Sequence, residues 1–181
     1  MALKPTIFRF TIALADGDRN CYEDLNLTVA QHPSETIERM LVRVLVYCLH
    51  FEEHLEFTSD LSDTDQPALA YRSLDGNLIH TFEVGEPGKD RLIKASRLAR
   101  NVSVYTFNRK SDTWWKQLKA DIEPVSNVSV YQFAWESIQA LASNLKRSTG
   151  LSVTINRPSV YVAAEKEQAE LFVTDLTDRS T

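Results

Sequence analysis

A repeated pentapeptide constrains the fold of this chain more than any other sequence feature. Asn-Val-Ser-Val-Tyr occurs at residues 101–105 and again at residues 127–131. Both copies are rich in apolar and β-branched side chains, and each follows a segment with helical periodicity, at about residues 89–100 and 111–120. Strands that alternate with helices in this way are typical of a parallel sheet. The repeat therefore predicts two parallel strands, each preceded by a helix.

Other segments predict antiparallel hairpins. Residues 6–14 and 25–29 alternate apolar and polar side chains, which is typical of half-buried strands, and together they predict an N-terminal hairpin. Residues 69–74 and 77–84 flank Asp75-Gly76, a dipeptide that favours the positive φ angles of a two-residue turn. The chain thus combines antiparallel strands with parallel ones.

Further elements complete the predicted fold. Residues 37–49 carry the clearest amphipathic helix, with Ser34 as its predicted N-cap and Glu35 beside its positive end. A later helix spans about residues 136–146, and three short strands follow it, at residues 151–156, 160–164 and 170–174. We predict one domain, residues 1–181, of mixed α/β (α+β) class, with a central mixed β-sheet flanked by helices.

Composition narrows the class of protein. The chain has 181 residues, 43% hydrophobic and 25% charged, a balance typical of one globular domain. Its formal net charge of −5 argues against coating nucleic acid by bulk charge. No apolar run is long enough to span a membrane, so we expect a cytoplasmic protein without a membrane partner. Cys21 and Cys48 show no metal-ligand spacing, and we interpret them as reduced thiols.

Several common enzyme signatures are absent from the sequence. It contains no glycine-rich phosphate loop, no G-x-S-x-G motif and no H-E-x-x-H motif. His50 and His54 form an i, i+4 pair, but without a third ligand nearby such a pair is more typical of a solvated helix end than of a zinc site. The remaining candidates for a catalytic or metal-binding role are carboxylates.

Glu83 is the most informative carboxylate, because it ends a largely apolar predicted strand. Asp75 is a poor partner for it, since a position at the hairpin tip places the two on the order of 25 Å apart. Extending the hairpin pairing sets Ala68 opposite Glu83, which makes Asp65 the better partner. Oxygen ligands of this kind suit Mg²⁺ or Mn²⁺. The alternative interpretation of Glu83 is a surface charge at the end of a strand.

The first amphipathic helix supplies a third candidate ligand. At about 100° per residue, Glu38 lies at the margin of the apolar stripe, beside Leu41 and Leu45, whereas Glu35 points toward the solvated side. Glu38 can therefore lean toward the sheet. The alternative is a glutamate whose stem covers the boundary of the core.

Cations follow Glu83 on the next predicted helix. Arg91, Lys94 and Arg97 are spaced three residues apart and could contact nucleic-acid phosphates. This spacing drifts by about 60° per step, so the charges wind around the helix and do not form one stripe. Solvated charges on an exposed helix are the alternative interpretation.

Several motifs together resemble the YaeQ family of small bacterial proteins, over nearly the full length of the chain. They are His-Pro-Ser-Glu-Thr-Ile-Glu-Arg-Met at residues 32–40, Glu-Val-Gly-Glu-Pro at residues 83–87 and Arg-Leu-Ile-Lys-Ala at residues 91–95. The resemblance implies a compact variant of the PD-(D/E)XK nuclease fold. It also implies a nuclease-like ancestry and an association with transcription elongation.

The nuclease motif is incomplete in this chain. Ala68 stands where a literal Pro-Asp pair would place the first acid, and Gly85 stands where the motif has its lysine. Some nucleases of this fold take the cation from the following helix, and Lys94 is the residue that most resembles it here.

Two functional hypotheses follow. In the first, the protein is a Mg²⁺- or Mn²⁺-dependent nuclease in which Asp65, Glu83 and Glu38 hold the metal and Lys94 stabilises the scissile phosphate of DNA or RNA. In the second, the scaffold has lost turnover and binds nucleic acid or the transcription machinery. An exposed Trp114 or Trp115 would favour the second hypothesis, because aromatic faces stack on bases. Packing of these tryptophans in the core is the alternative.

Overall fold

The computed structural model describes residues 3–58 and 63–179, which form eleven strands and four helices. In chain order they are β1 (Thr6–Asp16), β2 (Cys21–Gln31), α1 (Ile37–Leu49), β3 (Leu55–Phe57), β4 (Leu69–Arg72), β5 (Leu78–Val84), α2 (Lys89–Leu98), β6 (Asn101–Thr106), α3 (Ser111–Ile122), β7 (Val128–Gln132), α4 (Trp135–Ser143), β8 (Ser148–Asn156), β9 (Ser159–Ala163), β10 (Gln168–Phe172) and β11 (Thr174–Asp175).

Contacts divide these elements into two compact units. Unit 1 comprises Met1–Leu49 and Phe133–Val173, and unit 2 comprises His50–Gln132 and Thr174–Thr181. Each unit has its own mixed sheet and two helices. The mixed α+β class is confirmed, although the strands form two sheets where one central sheet is expected. The assignment of residues 1–181 to one domain stays a prediction, as does the likeness to the PD-(D/E)XK nuclease fold.

Unit 1 is built on the predicted N-terminal hairpin. Strands β1 and β2 pair antiparallel from Thr6–Gln31 to Asp16–Cys21, which confirms this hairpin. The sheet order is β10-β9-β8-β1-β2, with β8 parallel to β1. Apolar side chains at alternate positions of β1 are buried because their face covers the core.

Helix α1 has the predicted bounds, but its N-cap is not the predicted residue. The backbone N–H of Arg39 donates to the Thr36 hydroxyl at 3.2 Å, so Thr36 is the N-cap, and the Ser34 hydroxyl instead contacts His32. The expectation that Glu35 points to solvent is wrong. Its side chain is only 4% exposed and pairs with the buried Arg43, Oε2 to Nη2, at 2.7 Å. Helical periodicity misplaced Glu35 because this residue precedes the helix.

A buried carboxylate, Asp16, is linked through Arg157 to the carboxyl end of α1. Asp16 is fully buried, and its Oδ2 accepts from Arg19 Nε at 2.7 Å. Arg157 also donates to Asp16, while its Nη2 donates to the Leu49 carbonyl at 2.7 Å, one of the carbonyls that a helix end leaves without an internal partner. Burial alone would raise the pKa of Asp16, but hydrogen bonds from Arg19 and Arg157 outweigh burial and lower this pKa.

Unit 2 contains the parallel strands that the repeated pentapeptide predicts. Its sheet order is β11-β7-β6-β5-β4-β3, and β5, β6 and β7 run parallel. Valines from both pentapeptides face α2 and α3, where they form one core with Leu92, Trp115, Leu118 and Ile122. The parallel prediction is confirmed, and so are the two helices. Short β3 was not predicted.

The β4–β5 hairpin has the predicted register and a larger turn. Leu69 pairs with Phe82, which sets Ala68 beside Glu83 as expected. At the other end a register shift follows Tyr71, so the turn extends from Ser73 to Asn77 and contains the exposed Asp75. Within the described residues, no helix is both long and apolar enough to cross a membrane.

The Asp16 cluster yields a test of unit 1. We expect Asp16→Asn to lower the free energy of unfolding by about 2 kcal/mol, because Arg19 and Arg157 lose the charge that neutralises them. Asp18→Asn is the matched control, since Asp18 pairs with the same Arg157 but is 37% exposed. Urea denaturation measures both variants. Equal losses in the two variants would contradict a special role for the buried carboxylate.

Candidate functional site

A cleft of about 290 Å³ lies in unit 2, along β5 from Leu78 to Glu83, between this strand, the segment before β4 and helix α2. Its charged lining contains three acids and two bases, and the remainder is mostly apolar. The charged residues are Asp65, Glu83, Asp90, Arg91 and Lys94. The cleft therefore contains two of the three predicted metal ligands and two of the three predicted phosphate-binding cations.

Glu83 is a buried acid with a dedicated partner. It is only 6% exposed, because the last four residues of β5 are buried on both faces of the sheet. Its Oε2 accepts from Arg91 Nε at 3.0 Å. The carboxylate is therefore stabilised in a setting where an unpaired charge would be costly. This excludes the interpretation of Glu83 as a surface charge.

Arg91 also holds the segment that carries Asp65. Its Nη2 donates to the Gln66 carbonyl at 2.7 Å, and its Nη1 donates to the Thr64 carbonyl. A guanidinium has several donors in one plane, so one side chain can contact a carboxylate and two carbonyls together. Arg91 thus joins β5, the segment before β4 and α2.

Asp65 and Lys94 form a second pair at the rim of the cleft. Lys94 Nζ lies 3.1 Å from Asp65 Oδ2, and the two side chains are 63% and 74% exposed. An exposed pair of this kind contributes little to stability, about 0–1 kcal/mol. Both groups can therefore exchange partners at little cost, unlike Glu83 and Arg91.

The backbone explains why the cation comes from α2. Gly85 follows β5 with a φ of +116°, in a region that L side chains rarely adopt. Its N–H donates to the Tyr105 carbonyl at 2.9 Å, which anchors this conformation. A lysine at position 85 would be strained, so Arg91 and Lys94 are the cations of this cleft.

Thr81 adds a polar group that sequence reasoning missed. It lines the cleft two residues before Glu83, on the same side of β5, and is only 4% exposed. Among the described residues its hydroxyl is one of two buried side-chain polar atoms without a hydrogen-bond partner. Thr81 could have been identified from the sequence, because the alternation of side chains along the strand puts it on the same side as Glu83. A buried hydroxyl without a partner leaves hydrogen-bonding capacity for a ligand.

Two predicted site residues lie outside the cleft. Glu38 is partly buried on α1, in unit 1, and its role as a metal ligand stays a prediction. Arg97 is exposed on α2 and lines a neighbouring depression of about 440 Å³, to which Lys94 also contributes. Its contact with nucleic acid likewise stays a prediction.

The tryptophans pack rather than present their faces. Trp115 is 7% exposed and belongs to the core of unit 2, and the partly buried Trp114 packs against that core. Trp114 Nε1 donates to the Pro87 carbonyl at 3.0 Å. The core-packing interpretation is therefore confirmed.

A histidine cluster was also missed. His50 directly follows α1 and is partly buried, so the interpretation of this residue as solvated is wrong, whereas His54 is exposed as expected. His50 Nε2 lies 2.6 Å from the Tyr105 hydroxyl, and its ring packs edge-on against His80. Burial lowers the pKa of His80 to about 4, so its ring is neutral near pH 7. His80 Nε2 lies 2.8 Å from the Ser103 hydroxyl.

Sequence comparison places the chain near proteins of one family. The sequence model of the family described as YaeQ protein matches residues 1–173. The uncharacterized protein YaeQ of Escherichia coli K12 is 34% identical over 175 residues, which cover 96% of this chain and 97% of that protein. Its counterpart in Salmonella typhi is 33% identical over the same length.

Solved structures agree with this comparison. The crystal structure of YaeQ from Pseudomonas syringae has a TM-score of 0.90 and 35% identity, covering 95% of this chain and 96% of that chain. The crystal structure of YaeQ from Xanthomonas axonopodis pv. citri has a TM-score of 0.90 and 30% identity, covering 95% and 98%. The fold described above is therefore shared with these bacterial proteins.

Substitutions in the two ion pairs of the cleft should lower the free energy of unfolding by different amounts. Arg91→Ala removes the guanidinium that contacts the buried Glu83 and frees two carbonyls, so we expect a loss of about 2 kcal/mol in the free energy of unfolding. Amide hydrogen exchange should also accelerate around residues 64–68. Lys94→Ala, the control, should cost less than about 0.5 kcal/mol because its pair is exposed. Similar losses from both substitutions would show that Arg91 does not hold the cleft together.

Proposed function

The chain belongs to the YaeQ protein family, and we propose that it is a divalent-metal-dependent phosphodiesterase that cleaves nucleic acid in the unit 2 cleft. The convergence of Asp65, Glu83 and Lys94 on this cleft supports the proposal. Hairpin register in the sequence brought Asp65 and Glu83 together, and the resemblance to the nuclease fold added Lys94. Their convergence is what a metal-assisted site for phosphate chemistry requires.

The charge balance of the cleft carries the proposal. Three carboxylates face two cations, which leaves a net charge of one negative unit. A phosphodiester is itself negative, so this cleft does not attract it by charge alone. One divalent cation would change the net charge to one positive unit and reverse that balance. The charges therefore favour a metal-assisted site over a metal-free phosphate site.

The donor set fits Mg²⁺ or Mn²⁺ held partly by water and substrate. Such ions commonly use one or two protein carboxylates and complete their shell with water and phosphate oxygens. Asp65 and Glu83 would be those carboxylates. Within residues 3–58 and 63–179, no three histidine, cysteine or acidic side chains are grouped as a metal site, which argues against an all-protein zinc centre.

The residues of the cleft divide the work of the proposed reaction. A bound divalent ion would supply positive charge for the phosphate and lower the pKa of a water nucleophile. Arg91 holds Glu83 through a partly buried ion pair and contacts the segment of Asp65 through two backbone carbonyls. Lys94 lies on a flexible, exposed stem and can leave Asp65 for a phosphate oxygen. This motion provides the cation that Gly85 does not.

Two observations favour a second function. Both Asp65 and Glu83 already have cationic partners, and the buried Ala68 occupies the position of the first acid of the motif. A protein that lost turnover but still binds nucleic acid or the transcription machinery would retain such internal pairs. This alternative predicts nucleic-acid binding that does not depend on a divalent metal.

Calorimetric titration with Mn²⁺ tests the proposal. We expect saturable binding by the wild type and at least a tenfold loss of affinity in Glu83→Gln and in Asp65→Asn, because each removes a ligand charge. Asp75→Asn is the matched control, since it removes one carboxylate from the hairpin turn outside the cleft. Cleavage of labelled single-stranded DNA and RNA should likewise be retained in the wild type and in Asp75→Asn and be reduced in Glu83→Gln and Asp65→Asn.

Two outcomes of this experiment would contradict the proposal. Absence of Mn²⁺ binding by the folded wild type would do so. Equal losses of affinity in Glu83→Gln and Asp75→Asn would also do so, because they would indicate nonspecific attraction to acidic surface. Nucleic-acid binding that persists without metal and without cleavage would favour the alternative.

A further inference from the structure

We propose that the apolar part of the unit 2 cleft binds one unpaired base of the nucleic-acid strand, which makes single-stranded nucleic acid the preferred substrate. This inference rests on the proposed function and names the substrate of the same site. The inference is based on those side chains of the cleft that have no role in the proposed phosphate chemistry.

These side chains form an apolar surface directly beside the charges. Pro67 and Leu78 contribute to the cleft, as do Ala95 and Leu98 from α2. Leu98 is 62% exposed, so its side chain is accessible to a ligand. A phosphate or a hydrated metal ion gains nothing from such a surface, whereas the flat face of a base gains contact with it.

Helix α2 contains two pairs of side chains in which an apolar residue follows a cation by four residues. Ala95 follows Arg91 by four residues, and Leu98 follows Lys94 by four residues, so each pair sets a cation one turn, about 5.4 Å, before an apolar side chain. A nucleotide has the same order at a similar scale, with its phosphate at one end and its base at the other. The geometry therefore matches a nucleotide unit better than a phosphate alone.

Thr81 provides the polar complement that a base edge needs. Its hydroxyl is buried and has no partner among the described residues, and Thr81 lines the same cleft. A hydroxyl can both donate and accept, so it can pair with donors or acceptors on a base edge. An aliphatic ligand would leave this hydroxyl without a partner, whereas a base edge can supply one. The hydroxyl therefore favours a polar, ring-shaped occupant over an acyl chain.

The cleft has room for one unpaired base, since its volume of about 290 Å³ exceeds that of a single ring system. A base within a duplex is stacked on both faces and paired along its edge, and extracting it costs a few kcal/mol. A single strand avoids this cost. The cleft consequently selects unpaired bases.

Fluorescence anisotropy with two strands of equal charge tests this inference. One is a labelled single strand of about 12 nucleotides, and the other is a strand of the same length composed of abasic deoxyribose phosphates. Both are titrated in Ca²⁺, which supplies a divalent ion while slowing cleavage. We expect the wild type to bind the ordinary strand about tenfold more tightly than the abasic strand.

Three variants separate the base from the phosphate. Thr81→Val and Leu98→Ala should each reduce the preference for the ordinary strand by at least threefold, while affinity for the abasic strand stays unchanged. Thr81→Ser retains the hydroxyl and should retain the preference. Lys94→Ala should weaken both strands equally. Leu98 is exposed, so its variant tests the inference even if Thr81→Val fails to fold.

The outcomes distinguish this inference from the proposed function. Equal affinity of the wild type for the ordinary and abasic strands overturns the base site and leaves the phosphodiesterase proposal intact. Binding of neither strand overturns both. A duplex that binds as tightly as the single strand also overturns the preference for unpaired bases. A preference that survives in Leu98→Ala and in folded Thr81→Val shows that the base lies elsewhere.

Discussion

The contact between Arg91 and Glu83 is the interaction on which the cleft depends. Burial of a carboxylate at the end of a central strand is unfavourable unless a cation compensates it. Arg91 does so and, with its remaining donors, fixes the carbonyls of Thr64 and Gln66. One guanidinium therefore links β5, the segment that carries Asp65, and helix α2.

Topology explains the position of Glu83, which lies at one end of the cleft. Strands β5, β6 and β7 run parallel, so their carboxyl ends meet at the same edge of the sheet. In open α/β sheets, ligands bind preferentially outside that edge. The positive φ of Gly85 turns the chain away at this edge, and α2 then returns with Arg91 and Lys94. A side chain at position 85 would be strained, and the cations that line the cleft come from the following helix.

Local patterns in the sequence predicted most of the fold and part of the site. The repeated pentapeptide predicted the parallel strands, and hairpin register correctly set Ala68 beside Glu83. Periodicity failed where side chains reach beyond their own element. Glu35 lies before α1 and turns inward to Arg43, and His50 leaves the helix to contact Tyr105. The partner of Glu83 and the unpaired hydroxyl of Thr81 depend on tertiary packing, which no single segment encodes.

Amide NMR of the wild type with added Mn²⁺ tests the central claim most directly, because the paramagnetic ion broadens the signals of nearby residues. We predict that substoichiometric Mn²⁺ broadens the amides of residues 64–67 and 82–85 and those of the first turns of α2. The Glu83→Gln variant should lose this effect. Broadening centred on other acidic surfaces, or no selective broadening at all, would contradict a metal-assisted site in this cleft.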